Sequence, residues 1–596
     1  MPATSLASAA DLRLIEPLPA PPPEFAGVPR RSRFALLPDA MRVAFDRAAA
    51  PLLAWLRTGW LYRQSLRGPV ADRIWFYPDD PRAGRLDDAD AFIRGRFRFA
   101  GQSLEVRDGA VFDHPMPSEA FAAALQGFAW LRHVELAGGE LARSIALKVT
   151  QQWLKRHGRY SRFAWSPEII AERFLNLFAH GQFFLLNSDL VWRSRFFVSL
   201  RNQARILERS FAETPDGLPR LKAAAALALT GPCLSDAKSG AAGLKLLARE
   251  IERQILPDGG HVSRSPENLL EAYRVLSMVQ QALDHGHREL QPALRGALDR
   301  IAPMLRFFRM GDGALTVFHG GAEQDGRTIA AALEHDEAAG RPLGYAPHSG
   351  YQRLTAGRSL VLFDVGPAPS AAFAAAAHAS CLAFEMSSGV HRMIVNCGMA
   401  PMDSDAWSAA LRSTPAHSAL TLDDRSSAIA LADGVLAQLL GPLLIDGPSA
   451  VETRRSESKQ GLTVDAAHDG YLASHGVIHQ RCMTLTPRGL KLSGTDRLIP
   501  AERQSGSRRR NLPFAIRFHI HPDVRVSLAQ GGGSVILKLP NGEGWRFRCN
   551  GGALSLQESV YFGGGAHRRA EQLVVSGEMR GEEIQCLWLF EQVGSA

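Results

Sequence analysis

Residues 310–321 read MGDGALTVFHGG. Before this stretch the apolar residues recur every three or four positions, and after it they tend to alternate. Phe121, Leu125, Phe128 and Leu131 step by four, three and three, as one face of a helix requires. Ile145, Val149 and Trp153 keep that spacing, and so do Leu244, Leu247, Ile251 and Ile255. From MGDGALTVFHGG onward the texture is of short strands with Gly/Asp turns: SGYQRLTAGRSLVLFDVG, HRMIVNCG, FAIRFHIHPDVRVSL, SVILKLPNGEGWRFRCNGG and IQCLWLFEQV. Asn541-Gly542 between two of these runs predicts a hairpin turn. Helices first and strands afterwards, without alternation, predict two domains rather than one parallel α/β sheet. No fixed-period repeat marks a solenoid, so the helices are expected to close into a toroid or large bundle.

The expected organisation is a Pro/Ala-rich arm over 1–38, a helical domain over 39–310 and an antiparallel β-sandwich over 311–596. Pro17, Pro19 and Pro21 to Pro23 cannot sit inside a helix or a central strand. Apolar residues make up 46 % of the chain and charged ones 21 %, the balance of a globular protein that needs no covalent staples. The six cysteines are too sparse for a disulfide framework and none falls in a C-x-x-C pair. The net charge of +8 admits an anionic partner: a polyanionic sugar, nucleic acid or an acidic membrane surface. The one tight basic run, Arg508-Arg509-Arg510, reads as a solvated loop, and no motif supports nucleic acid. No apolar run reaches the ~18 residues of a membrane span, and the N-terminus lacks the pattern of a cleaved leader. G-x-S-x-G, Walker A, H-E-x-x-H and dinucleotide-binding glycine patterns are missing, which disfavours hydrolase elbows, nucleotide motors and zinc proteases.

Two segments, WSPEII (165–170) and RSPENL (264–269), place Ser, Pro and Glu in order. Serine caps free amides, proline suits the first helical position and glutamate suits the positive helix end. His261 lies in a Gly-Gly turn just before the second start. Asn176, in ERFLNLFAHG, is a poor helix-interior residue and needs partners if it faces inward. His378, Asn396 and His417 stand at strand ends of the β domain, where they could converge. His519 and His521 share a strand face at a workable metal spacing, without a visible third ligand.

Taken together, SEAFAAALQGFAWLRHV, RFLNLF, QILPDGGHVSRSP, APHSGYQRLTAG, AHASCLAFEMSSGVHRMIVNCG, RSTPAHSALTLDD and RFHIHPDV resemble the heparinase II/III family of polysaccharide lyases. The resemblance runs from about 110 to 590. It implies an (α/α) toroid followed by an antiparallel β-sandwich, and a carbon-oxygen lyase that cleaves uronic-acid glycans by β-elimination. In that reaction donors neutralise the uronate carboxylate, a base takes the C5 proton and an acid protonates the leaving oxygen. The resemblance implies Asn176 as the neutraliser, although Leu177 stands where a Trp is common, and His378 as the sandwich histidine, although Ser380 replaces an acid. The family's Tyr-His pair should follow Ser265-Pro266 after one residue, and that slot holds Asn268-Leu269. His261 is the candidate to act in its place, with Arg264, Asn268, Tyr351 and Arg353 as candidate substrate contacts. The resemblance also implies a possible structural zinc on His378, Asn396 and His417, exclusive with catalysis by His378; no other cofactor is required. The implied partner is an anionic polysaccharide and the implied location the cell envelope or periplasm, with the cytoplasm as the alternative. Two other functions fit the same residues: a non-catalytic glycan-binding or cell-envelope protein, and a glycoside hydrolase drawing a carboxylate pair from Glu168, Glu172 and Glu267.

Overall fold

The computed structural model describes residues 36–594 apart from 107–109, 187, 290, 335–341, 400–404, 432–433, 442, 446, 502–510, 530 and 565–566. The expected arm up to residue 35 and the Arg508-Arg509-Arg510 run lie outside the described residues. Helices succeed one another from Leu37–Thr58 to Pro292–Phe308, and strands dominate from Tyr345 onward.

The helix Leu218–Leu234 is the hub of the helical domain. Its sequence, LPRLKAAAALALTGPCL, is buried on nearly every side. A helix that is apolar all round belongs inside a protein. It packs against Pro167–His180, Ala237–Gln254 and Pro266–His285. The approach to Ala237–Gln254 is close enough that a Cβ on Gly243 would lie 2.2 Å from the amide nitrogen of Ala228. Arg173 is fully buried here, and among the described residues no carboxylate pairs with it. Its guanidinium donates to the Gln126 and Ala164 carbonyls and to Gln203, and lies 4.3 Å from the Trp153 ring centroid.

Three local expectations are corrected. Phe121, Leu125, Phe128 and Leu131 are all buried, but on two short helices, Glu119–Gln126 and Leu131–Ala137. The chain turns at Phe128, whose φ is +60°. A small hairpin, Arg96–Phe99 with Gln102–Glu105, interrupts the helical stretch. MGDGALTVFHGG forms no strand: it is an extended strap with a single bridge between Arg309 and Leu315. Both Ser-Pro-Glu segments do start helices. The Ser265 hydroxyl accepts from the Asn268 amide, whereas Ser166 makes no capping bond.

The β domain is two antiparallel sheets face to face. One runs in the order Ala553–Tyr561, Arg568–Met579, Leu512–Ile520, His391–Val395, Phe384–Ser388, Ser359–Asp364, Tyr351–Ala356 and Tyr345–Ala346, with Leu420–Leu422 also paired to Leu512–Ile520. The other runs Val451–Ser458, Gly461–His468, Val477–Leu485, Lys491–Pro500, Ile584–Val593, Gly544–Asn550, Val535–Lys538 and Arg525–Leu528. The Asn541-Gly542 hairpin forms as expected, with Gly542 at φ +88°. Between the sheets the Phe384 and Trp588 rings stack 5.6 Å apart. Arg481 crosses this core, paired with Asp496 and donating to the Leu382 and Ser418 carbonyls. Asp496 also accepts from the Trp588 indole at 2.8 Å.

The strap 311–325 joins the two domains tightly. Glu267 of the toroid accepts from the Ala322 amide and from Gln324, and Glu385 of the sandwich accepts from the Val317 amide. Arg392 holds Asp312 at 2.7 Å and the Leu315 carbonyl at 2.8 Å.

Candidate functional site

Asn176 lies inside a network of charge on the inner side of the toroid. Its Oδ1 accepts from Arg82 at 2.9 Å, and its Nδ2 donates to the Gly127 and Glu172 carbonyls, both at 2.9 Å. Arg82 forks onto Asp80. Burial opposes a charge on Asp80, but Arg82, His180 and Arg274 outweigh it and hold the carboxyl well below the usual carboxylate range. His180 bridges Glu135 at 2.5 Å and Asp80 at 3.3 Å. Burial works against a proton on His180, yet these two carboxylates raise its pKa. Lys222 joins Glu172 at 2.6 Å to Glu271 at 3.1 Å, and Arg274 holds Glu271 from the other side.

Arg132 stands out in this network. Burial, and then the neighbouring Arg82, lower its pKa to about 10. Its Nε is shielded from water, and among the described residues it has no hydrogen-bond partner and no carboxylate pairs with the guanidinium. The network thus pairs most of its charges internally and leaves one guanidinium open. Asp80, Arg82, Arg132, His180, Lys222 and Arg274 escaped the reading of the sequence, because they are spread over several helices and loops and form no motif.

The other candidates sit elsewhere. His261 is buried between Ser263 at 2.7 Å and Gln254 at 3.0 Å, and burial lowers its pKa to about 4. Asn268 donates to the Ser263 hydroxyl at 3.0 Å, and Leu269 is wholly buried. Arg264 spends its guanidinium on the Ser349, Gly350, Gly366 and Pro367 carbonyls and on Asp364. Tyr351 donates to the Arg264 carbonyl at 2.8 Å, and Arg353 donates to the Phe307 and Arg309 carbonyls. These three residues knit the toroid, the strap and the sandwich together.

His378 belongs to a third, buried cluster. Its amide donates to His319 Nδ1 at 3.2 Å, and its own Nδ1 meets His417 Nε2 at 3.3 Å. Burial, then His417, lowers the His378 pKa, and burial takes His417 to about 3. Asp364 lies beside them, held by Arg264, Ser380 and His319. Arg264, His319 and Leu382 all adopt left-handed backbone angles around this carboxylate, strain that persists only where the surroundings over-determine it. Among the described residues no hydrogen bond or ion pair links Asn176 to His261 or to His378.

The two facing imidazole nitrogens have the spacing of two ligands on one tetrahedral ion at ~2.0–2.1 Å each. Asn396 does not complete the set. Its amide donates to Glu385 and to the Val317 carbonyl, and its oxygen accepts from the Ser418 amide. Among the described residues no group of three His, Cys, Asp or Glu side chains is placed to hold a metal. The donor set therefore fits a zinc ion poorly. The His519–His521 spacing also leads elsewhere: His519 binds the Pro415 carbonyl and Ser559, while His521 faces Asp523 and Glu323.

Two of the three carboxylates weighed for hydrolysis are likewise engaged, and burial raises the pKa of the third, Glu168. Glu172 is tied to Lys222, and Glu267 to the strap. Burial, reinforced by Glu271 and opposed by the Ala322 amide, raises Glu267 to about 7.

A toroid followed by a two-sheet sandwich defines a class, and the chain belongs to the heparinase II/III-like family. The family model "Heparinase II/III-like, C-terminal" matches residues 338–589. The chain is 33 % identical over 571 residues to "FtsZ-localized protein C" of Caulobacter vibrioides (strain NA1000 / CB15N), covering 94 % of this chain and 97 % of that one. The crystal structure of heparinase III superposes with a TM-score of 0.67 at 14 % identity, over 94 % of this chain and 92 % of that one. The heparan sulfate lyase HepC from Pedobacter heparinus superposes with a TM-score of 0.57 at 15 % identity, over 95 % and 92 %. At such identities the two structures establish the fold alone.

Proposed function

We propose that this chain is a lyase-fold protein without β-elimination activity, which docks on an anionic membrane surface and acts at the FtsZ-based division site. The observation that carries the reading is the solvent-facing side of the helix Leu37–Thr58. At 100° per residue, Leu37, Met41, Phe45, Leu52, Trp55 and Leu56 fall within one arc of about 100°. This arc faces water, not the core: Met41 is 71 % exposed, Phe45 72 % and Trp55 70 %. Trp60 and Leu61 of the next short helix extend it. The helix is held by its other side, where Ala40 is buried and Arg47 donates to the Gln438 and Leu439 carbonyls.

A contiguous apolar stripe of this size marks an interaction surface, and Trp is favoured where an apolar body must meet a wet headgroup region. Arg42, Arg63 and Arg67 are exposed nearby, and each basic residue near an anionic leaflet contributes about 1 kcal/mol. No described helix is long and apolar enough to cross a membrane, so the helix would lie in the interface plane.

Three features support the loss of catalysis. The donors of Asn176 are spent on backbone carbonyls, the Tyr-His slot holds a buried leucine, and His378 faces other histidines. The full-length relative that carries FtsZ in its name supports the division-site assignment, which favours the cytoplasmic alternative over export. Three assays test the reading. The purified chain should float with phosphatidylglycerol vesicles and not with phosphatidylcholine ones, co-sediment with GTP-assembled FtsZ, and give no rise at 230 nm with uronic-acid glycans. A 230-nm rise lost in Asn176→Ala would overturn the non-catalytic reading, and failure to float would overturn the membrane reading.

The open guanidinium of Arg132 favours a second reading of the cleft, as a site that holds an anionic sugar without cutting it. Retention of the chain on immobilised heparan sulfate, lost in Arg132→Ala, is the expected result.

A further inference from the structure

A cavity of about 700 Å³ opens on the sandwich, away from the toroid cleft, between the segment 407–416 and the strands Ala553–Tyr561, Arg568–Met579 and Leu512–Ile520. Its size is that of a small-molecule site. One wall is aromatic. Trp407 is 42 % exposed, with its ring centroid 5.5 Å from Phe562 and 6.1 Å from His567. The floor is polar but neutral. His519 Nε2 lies 2.9 Å from the Pro415 carbonyl, which can only accept, so that nitrogen carries the ring proton. His519 Nδ1 then accepts from the Ser559 hydroxyl at 2.8 Å. Donating to His519, the Ser559 oxygen keeps a lone pair with which to accept at the cavity; the Cys397 thiol, 3.4 Å from His519 Nδ1 and 3.8 Å from Ser559 Oγ, is the other group beside it.

Burial keeps both floor groups unreactive: the His519 pKa falls to about 4 and the neighbouring Cys397 thiol rises to about 12. Nucleophilic chemistry is therefore not what this pocket offers. At the rim Glu558 and Arg569 form an ion pair, one side chain accepting and one donating, with no net charge between them.

A flat aromatic wall, an acceptor in the floor and a balanced donor–acceptor pair at the rim match one ligand class. A pyranose ring has an apolar C–H face for the indole and hydroxyl groups around its edge for the polar atoms. An anionic sugar finds no uncompensated charge on Glu558 and Arg569, in contrast to the Arg132 guanidinium. We propose that this cavity binds a neutral pyranose unit, stacked on Trp407 and donating a hydroxyl to Ser559.

The test is saturation-transfer NMR and calorimetry on the full chain with cellotetraose and chitotetraose. At least one of the two should bind at millimolar concentration. Trp407→Ala should weaken binding roughly tenfold, the loss of about one aromatic stacking contact, and Trp407→Phe should restore most of it. Ser559→Ala should weaken it severalfold, with the melting temperature reported for each variant so that misfolding is recognised. Arg132→Ala should leave it unchanged. Absence of binding by both oligomers, binding that survives Trp407→Ala in a folded protein, or binding lost in Arg132→Ala would each overturn the proposal.

Discussion

The double substitution Phe45→Ser and Trp55→Ser is the sharpest probe of the membrane reading. Each aromatic side chain would bury about 200 Å² if fully covered. With Phe45 72 % and Trp55 70 % exposed, most of that area still faces water. Roughly 280 Å² is therefore available from the pair, a ceiling of about 7 kcal/mol at ~25 cal/mol per Å². A helix lying in the headgroup region sinks only ~5–10 Å, so about half of that ceiling is a realistic gain. The expected loss is about 3 kcal/mol, or two orders of magnitude in vesicle partitioning at ~1.4 kcal/mol per decade. Neither ring supports the core, so the melting temperature should shift no more than for an ordinary surface change of about 0.5 kcal/mol. Flotation on phosphatidylglycerol vesicles, read against lipid concentration, gives the partition coefficient. A double variant that floats as well as the parent refutes the reasoning. So does one that loses several degrees of stability, because the stripe would then be packed against protein.

Grafting the family's pair back, as Asn268→Tyr with Leu269→His, should not restore a 230-nm product. It should cost roughly 2–4 kcal/mol in urea unfolding, because an imidazole would replace a fully buried leucine. Glu385, fully buried on the sandwich strand that faces the strap, has its pKa raised to about 7 by burial, against the pull of Arg392 and the Val317 amide. A raised carboxyl pKa contributes stability that is present below about 4.5 and lost as pH rises through about 7. The stability of the parent relative to Glu385→Gln should therefore fall by up to about 3 kcal/mol between pH 5 and 8, and a flat difference would contradict the assignment. Arg481→Leu should destabilise the sandwich by about 3–5 kcal/mol, because it strips Asp496 of its guanidinium inside the core. Adding Asp496→Asn should recover part of that loss.

The order of the two domains was legible because it rests on periodicity, which is a local property. The change of period at MGDGALTVFHGG falls between the long helix Pro292–Phe308 and the first strands of the sandwich. The stretch is nevertheless a strap and not a strand, since its backbone amides are taken by Glu385, Ser387, Asp312 and neighbouring carbonyls rather than by a ladder. The break at Phe128 was not legible, because the four apolar residues satisfy a helical spacing on either side of a left-handed turn. Asn176 was legible as an inward amide that needs partners. Its partners were not, because Arg82 lies 94 positions away. Arg264 and Tyr351 looked like ligand contacts because they are polar residues at a domain junction, and the junction itself consumes them. The stripe on Leu37–Thr58 is plain on a helical wheel, but only the structure tells which way it faces. A pattern of apolar residues normally reports the buried side, and here it reports the opposite.

The helix Leu37–Thr58 is tied at its middle and near its C-terminal end. Arg47 grips the carbonyls at 438–439 and Arg57 pairs with Glu213, while Arg205 and Arg209 hold the carbonyls of Arg67 and Ser65 beyond it. A body moored by a flexible tail tumbles above its anchorage and presents every side in turn. One fastened along a rigid rod some 33 Å long, 22 residues at ~1.5 Å each, keeps only the spin about the membrane normal. Whatever the sandwich and the toroid mouth recognise would then be met at a fixed height and tilt, an alignment that partners confined to the same plane exploit without spending any affinity of their own.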